Sequence, residues 1–306
     1  MEIFQYQARE NKVYRNFLQN LRVIPQQIKS PAEIPFLPIG FFKTHRVVAG
    51  NAEPEVCFTS SGTTGTSTSN HFVQDVNVYE NSFRKAFSHF YGDVKDLCIL
   101  ALLPSYLERE GSSLVYMVND LIQKSSHPES GFFLDDLDKL SIQLKEMESR
   151  GQKTLLIGVT YALLDLAEKE QLSLKHTIVM ETGGMKGKRK EMIREELHEY
   201  LQQKFGVKSI HSEYGMTELL SQGYSKGNGV FDCPPWMKIL IRDTNDPFSI
   251  LQPGKTGGIN VIDLANINSC SFIATQDLGR TSADETYEVL GRFDNSDLRG
   301  CNLLVG

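Results

Sequence analysis

The sequence predicts an α/β fold: a mostly parallel sheet flanked by helices, followed by a β-rich C-terminal subdomain. Three observations lead there. From Asn77 to His211, short unbroken apolar runs alternate with stretches of helical period, as strands buried on both faces alternate with crossover helices. After Trp236 that alternation stops, and short β-like runs are separated by Gly, Pro, Asn and Asp, the residues that make turns. Across 306 residues, 40% hydrophobic and 23% charged with 24 Gly and 11 Pro describe a globular chain that buries one large core or two modest ones.

The first fifty residues read as a helical lead-in running into Ile34-Pro35-Phe36-Leu37-Pro38-Ile39, whose prolines disfavour helix. Phe83, Phe87 and Phe90 fall at helical spacing within 77–92, and 97–103 is an apolar run ended by Pro104, so a helix feeds a buried strand. Helices are expected over about 112–124 and 136–150, a strand over 154–159, a helix over 161–169 and a strand over 177–181. A charged helix over 188–205 and a strand over 207–211 complete this part, and β-like runs follow at 238–242, 258–263, 270–275 and 286–290. The expected division is 1–50 as lead-in, 51–235 as an α/β nucleotide-binding core, and 236–306 as the β-rich subdomain and its tail.

Charge and targeting signals narrow the function. With 32 basic and 38 acidic side chains the formal charge is 32 − 38 = −6, so no overall positive field draws a polyanion, and nucleic acid is excluded as an expected partner. The amino terminus lacks the layout of a signal peptide, and no apolar run reaches the roughly 20 residues of a membrane span. A soluble cytoplasmic protein is the expectation. The five cysteines, Cys57, Cys98, Cys233, Cys270 and Cys301, are scattered without metal or redox spacing and read as free thiols in a reducing compartment. The first four sit in or beside apolar runs and are expected in the core; Cys301 lies just before the chain end.

Two stretches carry chemistry. Phe58-Thr59-Ser60-Ser61-Gly62-Thr63-Thr64-Gly65-Thr66-Ser67-Thr68-Ser69 is built almost entirely of glycine and hydroxyl residues; such a loop can surround an anion with N–H and O–H donors. The alternative is a surface linker, and no Walker lysine follows the second glycine. Ser212-Glu213-Tyr214-Gly215-Met216-Thr217-Glu218 follows the strand expected to end near His211. A ring beside glycine suits a nucleotide base, and a hydroxyl with a carboxylate suits phosphate and Mg²⁺. A strand-end Tyr and a capping Thr-Glu are the alternative.

The order Ser-Gly-Thr-Thr-Gly, Tyr-Gly-Met-Thr-Glu, Thr275-Gln276-Asp277 and Gly291-Arg292-Phe293-Asp294 resembles the ordered motifs of the adenylate-forming superfamily. With Phe36-Leu37-Pro38-Ile39, Phe42-Lys43 and the closing Leu298-Arg299-Gly300-Cys301, the chain looks like the acyl-protein synthetases of bacterial bioluminescence, relatives of phenylacetate-CoA ligases. The resemblance implies the adenylate-forming core fold. It also implies ATP-dependent conversion of a carboxylic acid, fatty (long-chain) or aryl, to an acyl adenylate, and then capture of the acyl group by Cys301 for an acceptor protein: an acyl reductase, transferase or carrier protein. It assigns Ser61, Gly62, Thr63, Thr64 and Gly65 to the ATP phosphates, Thr217 to the reacting phosphate and Glu218 to Mg²⁺. Tyr214, Gly215, Gly183 and Gly184 would frame adenine, Asp277 would hold the ribose hydroxyls, and Arg292 would sit at the hinge.

Two departures accompany the resemblance. Thr66, Ser67 and Thr68 stand where many members carry a loop lysine, for which Lys186, Lys188, Arg189 and Lys190 are the candidate replacements. Only Asn295 to Gly306 follow the hinge, so the expected core lacks the mobile small domain and its lysine. An acyl- or aryl-CoA ligase, and a non-catalytic nucleotide- or acyl-binding subunit, are the competing readings. For the acyl group Tyr106, Val115, Met117, Val159, Tyr161 and Met185 serve equally as pocket or ordinary core, and His211 is a further residue near the Tyr-Gly motif.

Overall fold

In the computed structural model, which describes residues 1–60, 68–104, 111–183 and 192–293, the chain starts one compact unit, builds a second from Pro54–Pro234, and returns to the first from Pro235. The first unit opens with α1 (Glu2–Glu10) and α2 (Lys12–Asn20). Asn11 joins them: its side-chain oxygen accepts from the Tyr14 N–H, starting α2, while its amide donates to Ser269 O at 2.9 Å. The Pro-containing segment follows as β1 (Leu37–Pro38), then the single turn α3 (Phe41–Thr44).

The second unit begins with an antiparallel hairpin, β2 (Val56–Thr59) and β3 (Asn70–Val73). Helix α4 (Val76–Tyr91) is started by the Asp75 carboxylate, which accepts from Asn77 N–H, and stopped by Gly92 at φ +84°. There follow β4 (Cys98–Leu102), α5 (Ser113–Lys124), β5 (Gly131–Phe132), α6 (Leu137–Ser149), β6 (Thr154–Val159), α7 (Thr160–Lys169), β7 (Thr177–Thr182), α8 (Arg194–Phe205), β8 (Ile210–Tyr214), β9 (Gly223–Ser225) and β10 (Val230–Asp232). In the sheet the order is β10-β9-β8-β7-β6-β4-β5, parallel from β8 to β5 and antiparallel at β9 and β10. Every residue of β4 and β6 is buried, which is why these strands are continuous apolar runs rather than alternating ones.

Returning to the first unit, β11 (Met237–Arg242), β12 (Gly257–Asp263), β13 (Phe272–Thr281) and β14 (Tyr287–Arg292) pair antiparallel in sequence order, and β1 pairs parallel with β13. This is the expected α/β architecture, a large mixed and mostly parallel sheet flanked by helices, with the β-rich part following it.

Three expectations shift. The strand read at 207–211 is β8, which starts at Ile210, because Gly206 in the left-handed region (φ +66°) ends α8 and the chain needs the next residues to re-enter the sheet. The run at 270–275 extends to Thr281, the added polar residues Gln276, Asp277, Arg280 and Thr281 lying at exposed or half-buried positions of β13. Helix α8 begins at Arg194, with Met192 and Ile193 outside it; Lys188, Arg189 and Lys190 lie outside the described residues.

The first unit's aromatic core centres on Phe272, whose ring meets Phe4 and Phe36 edge-on at 5.9 and 6.2 Å and stacks with Tyr14 at 6.3 Å. All four are buried. Phe272→Ala is therefore expected to cost about 3–5 kcal/mol, measured as a lower urea midpoint; an unchanged midpoint would contradict this packing.

Candidate active site

Ligands of open α/β sheets sit at the carboxyl ends of the parallel strands, and here the ends of β7 and β8 carry two carboxylates, Glu181 buried and Glu213 half-buried. The parallel register pairs Glu181 with Ser212 and Thr182 with Glu213. Because successive side chains alternate faces, the two glutamates fall on opposite faces of the sheet. On one face Thr160 Oγ1 donates to Glu181 Oε2 at 3.1 Å, while His198 Nε2 and Arg194 Nε lie 3.6 and 4.0 Å from Oε1. Burial pushes the Glu181 pKa up, but His198, Arg194 and Ser212 outweigh it and hold the group below the ordinary carboxylate range.

Among the described residues Glu213 has no such cations. Thr182 Oγ1 donates to its Oε2, and Tyr224 stands opposite it on β9. Burial pushes its pKa up to about 7; the Thr182 hydrogen bond opposes this and the Glu181 charge adds to it. The carboxyl folds back over Gly215, where a Cβ would collide with Glu213 Oε1. A side chain at 215 would therefore displace that carboxyl.

The Tyr-Gly-Met-Thr-Glu stretch is split between strand and turn, a correction to its expected place after the strand. Tyr214 is the last residue of β8, buried with its ring edge-on to Phe231 at 6.2 Å. Thr217 and Glu218 occupy the turn closed by Leu219 N–H to Met216 O at 3.1 Å, and Glu218 is buried. His71, buried on β3, donates from Nδ1 to Thr217 O at 2.8 Å, a bond that fixes its tautomer. The loop between β2 and β3 is also tied at its neck, where Ser60 N–H donates to Ser69 O and Ser69 N–H to Ser60 Oγ. So the ends of the glycine-hydroxyl loop and the Thr217 turn, far apart in sequence, are hydrogen-bonded neighbours. Ser61, Gly62, Thr63, Thr64 and Gly65 themselves, together with Gly184, Lys186, Tyr106, Met185 and Cys301, lie outside the described residues.

Gly183 follows β7 at φ +62°, a left-handed turn that suits glycine. Asp277 and Arg292 belong to the other unit, where they are register partners on β13 and β14. Arg292 Nε lies 3.4 Å from Asp277 Oδ1 with the Arg292 side chain 76% exposed, a pairing of the kind worth about 0–1 kcal/mol. His211 meets the Tyr91 hydroxyl through Nδ1 at 3.2 Å, and burial, aided by Lys226, pushes its pKa down to about 4, leaving it neutral. Of the cysteines expected in the core, Cys98 and Cys270 are buried but Cys57 and Cys233 are only half-buried. Cys57 and Cys233 lie on or next to short strands of the unit, which cover them incompletely.

His71, Glu181 and Glu213 escaped the sequence reading. Glu213 was visible inside the quoted motif, but its partner Thr182 comes from another strand; His71 offers no local pattern at all. Among the described residues no group of three or more His, Cys, Asp or Glu is placed to hold a metal, and no helix is long and apolar enough to cross a membrane.

No protein-family model matches the sequence, and no curated protein matches it. Solved structures do. The 2-hydroxyisobutyryl-CoA ligase, in an open conformation with 2-HIB-AMP and CoA, superposes with a TM-score of 0.70 at 12% identity, covering 96% of this chain and 73% of the ligase. ATP-bound MatB from Rhodopseudomonas palustris gives a TM-score of 0.58 at 19% identity over 77% of this chain and 47% of MatB. The chain shares their fold. It spans about half the length of MatB.

The Glu213 geometry generates a pH dependence. Its pKa rises from 4.5 to about 7 on folding, so between those values the folded state holds a proton that the unfolded state releases. Stability from this group is present below pH 4.5 and falls as pH rises towards 7. Glu213→Gln should therefore flatten the decline in melting temperature between pH 5 and 7.5 measured by circular dichroism; parallel curves for the two proteins would refute the assignment.

Proposed function

We propose that this chain activates a carboxylic acid with ATP to form an acyl adenylate and pyrophosphate, then passes the acyl group through the Cys301 thiol to an acceptor protein. The observation that carries it is the His71 to Thr217 hydrogen bond at 2.8 Å, which draws the flank of the glycine-hydroxyl loop to the Thr217-Glu218 turn. The loop then cradles the ATP phosphates through Ser61, Gly62, Thr63, Thr64 and Gly65, and Thr217 takes the reacting phosphate. Gly183, Gly184, Tyr214 and Gly215 border the base. The shared fold with a CoA ligase bound to an acyl-AMP supports the same reading.

Mg²⁺ suits the donor set. It is usually held by one or two carboxylates together with substrate phosphates rather than by a protein cage, and Glu218 is a single buried carboxylate on the turn. When bound, Mg²⁺ offsets charge that builds on the phosphate oxygens. The acid oxygen attacks the α-phosphorus and the bond to pyrophosphate breaks, so AMP becomes the leaving group of the second step. There the Cys301 thiolate attacks the acyl carbonyl, forming a thioester and releasing AMP, with Arg299 two residues away to favour the thiolate. Burial pushes the Cys98 and Cys270 thiols up to about 11 and 12, which disqualifies both as nucleophiles at neutral pH. Asp277 and Arg292 are assigned by their motifs alone, to the ribose hydroxyls and the hinge.

A second reading, with CoA as the accepting thiol, is favoured by the CoA found in the 2-hydroxyisobutyryl-CoA ligase. Intact-mass analysis after incubation with ATP, Mg²⁺ and a panel of acids separates the two. The first reading expects an acyl mass gain that Cys301→Ser abolishes; a CoA product formed equally by that variant would overturn it. Independently, His71→Asn should lower kcat for acid-dependent pyrophosphate exchange about tenfold or more while the KM for ATP changes less, because the Thr217 turn loses its anchor. An unchanged kcat would remove His71 from the site.

A further inference from the structure

One cation of the first unit is built into the segment that carries Asp277 and Arg292. Arg242 ends β11, and its register partner on β12 is Gly258. A Cβ at Gly258 would stand 2.5 Å from Arg242 Cζ, so the glycine leaves the guanidinium room to cross β12 and reach β13. There Nη1 donates to Ile259 O at 2.7 Å and to Asn260 Oδ1 at 2.8 Å, and Nη2 donates to Thr275 O at 2.5 Å. Arg242 Cζ also lies 5.5 Å from the centre of the Phe293 ring, within the range of a cation–π contact.

The place it reaches is a break in the strand ladder. Gly258 pairs with Leu278 and Asn260 with Ala274, so Thr275, Gln276 and Asp277 of β13 face the single residue Ile259 of β12. Such a bulge disrupts the regular backbone pairing and re-aims the side chains it carries. Side chains supply donors to it here. Ile259 O accepts from Arg242 and from Thr275 Oγ1, the latter at 2.9 Å, and Thr275 O accepts from Arg242. The Thr275 hydroxyl in turn accepts from Asp277 N–H at 3.1 Å. On the other side of β13, Asp277 pairs with Arg292, and Phe293 N–H donates to Gln276 O at 2.8 Å. One guanidinium thus joins the bulge that presents Asp277 to the residue that follows Arg292. A planar fork of donors whose face also packs on a ring can make all of these contacts at once, which a lysine ammonium cannot.

We propose that Arg242 is a positioning residue for nucleotide binding: it holds the 275–277 bulge and Phe293 in one arrangement and so sets the Asp277 carboxylate for the ribose hydroxyls of ATP. The role rests on the assignment of Asp277 to the ribose.

Isothermal titration calorimetry of the full chain, with Mg²⁺ and either ATP or 2′,3′-dideoxy-ATP, tests it. The wild type should bind ATP about tenfold or more tightly than the dideoxy compound, the margin of a hydrogen bond to a charged group, and Asp277→Ala should erase that margin. Arg242→Met, which removes the fork, should erase most of it in protein that circular dichroism shows to be folded. Gly258→Ala keeps the arginine but takes its room, and carries the test by the same reading if Arg242→Met does not fold. A general loss of stability would weaken both nucleotides alike and leave their ratio unchanged. A wild-type ratio in the Arg242 variant, with the ratio lost in Asp277→Ala, overturns the role of Arg242 and keeps the ribose assignment. Equal binding of the two nucleotides by the wild type overturns the ribose assignment and the role of Arg242 with it.

Discussion

The parallel pairing of β7 with β8 is the constraint from which the candidate site follows. Once Glu181 is opposite Ser212 and Thr182 opposite Glu213, the two-residue period of the strands sends one carboxylate to each face. The helices packed there decide the rest. Helices α7 and α8 bring Thr160, Arg194 and His198 to Glu181, which stays ionised. Glu213 receives Thr182 and tyrosines, which solvate a charge poorly, and its pKa climbs towards neutrality. A one-residue slip of β8 would turn Glu213 to the face of Glu181 and take it from Thr182.

The second constraint is the tie between the β2–β3 hairpin and the Thr217 turn. A glycine-hydroxyl loop is entropically expensive to order. Ser60 and Ser69 close its neck, and His71 anchors β3 to the Thr217 turn.

Much of the fold could be read from the sequence because its signals are local. Phe83 and Phe87 at helical spacing marked α4, and the unbroken apolar runs marked β4 and β6. What escaped depends on partners distant in the chain. The β2–β3 hairpin consists of two four-residue strands on either side of a polar stretch, too short for periodicity to register. The end of α8 was readable, but the turn made by Gly206 delayed β8 by three residues. In the site, Tyr214, Thr217 and Glu218 stood out as a string, whereas His71 and Glu213 owe their places to bonds across 146 and 31 residues of sequence. No single window contains such a pair.

The close fit of Gly215 under the Glu213 carboxyl binds the two positions into one unit of variation. A larger residue at 215 requires the flexible Glu213 side chain to turn aside, at the expense of its hydrogen bond from Thr182. A change at 215 is thus felt on β7 as well, because the Thr182 hydroxyl loses its acceptor when the Glu213 carboxyl moves.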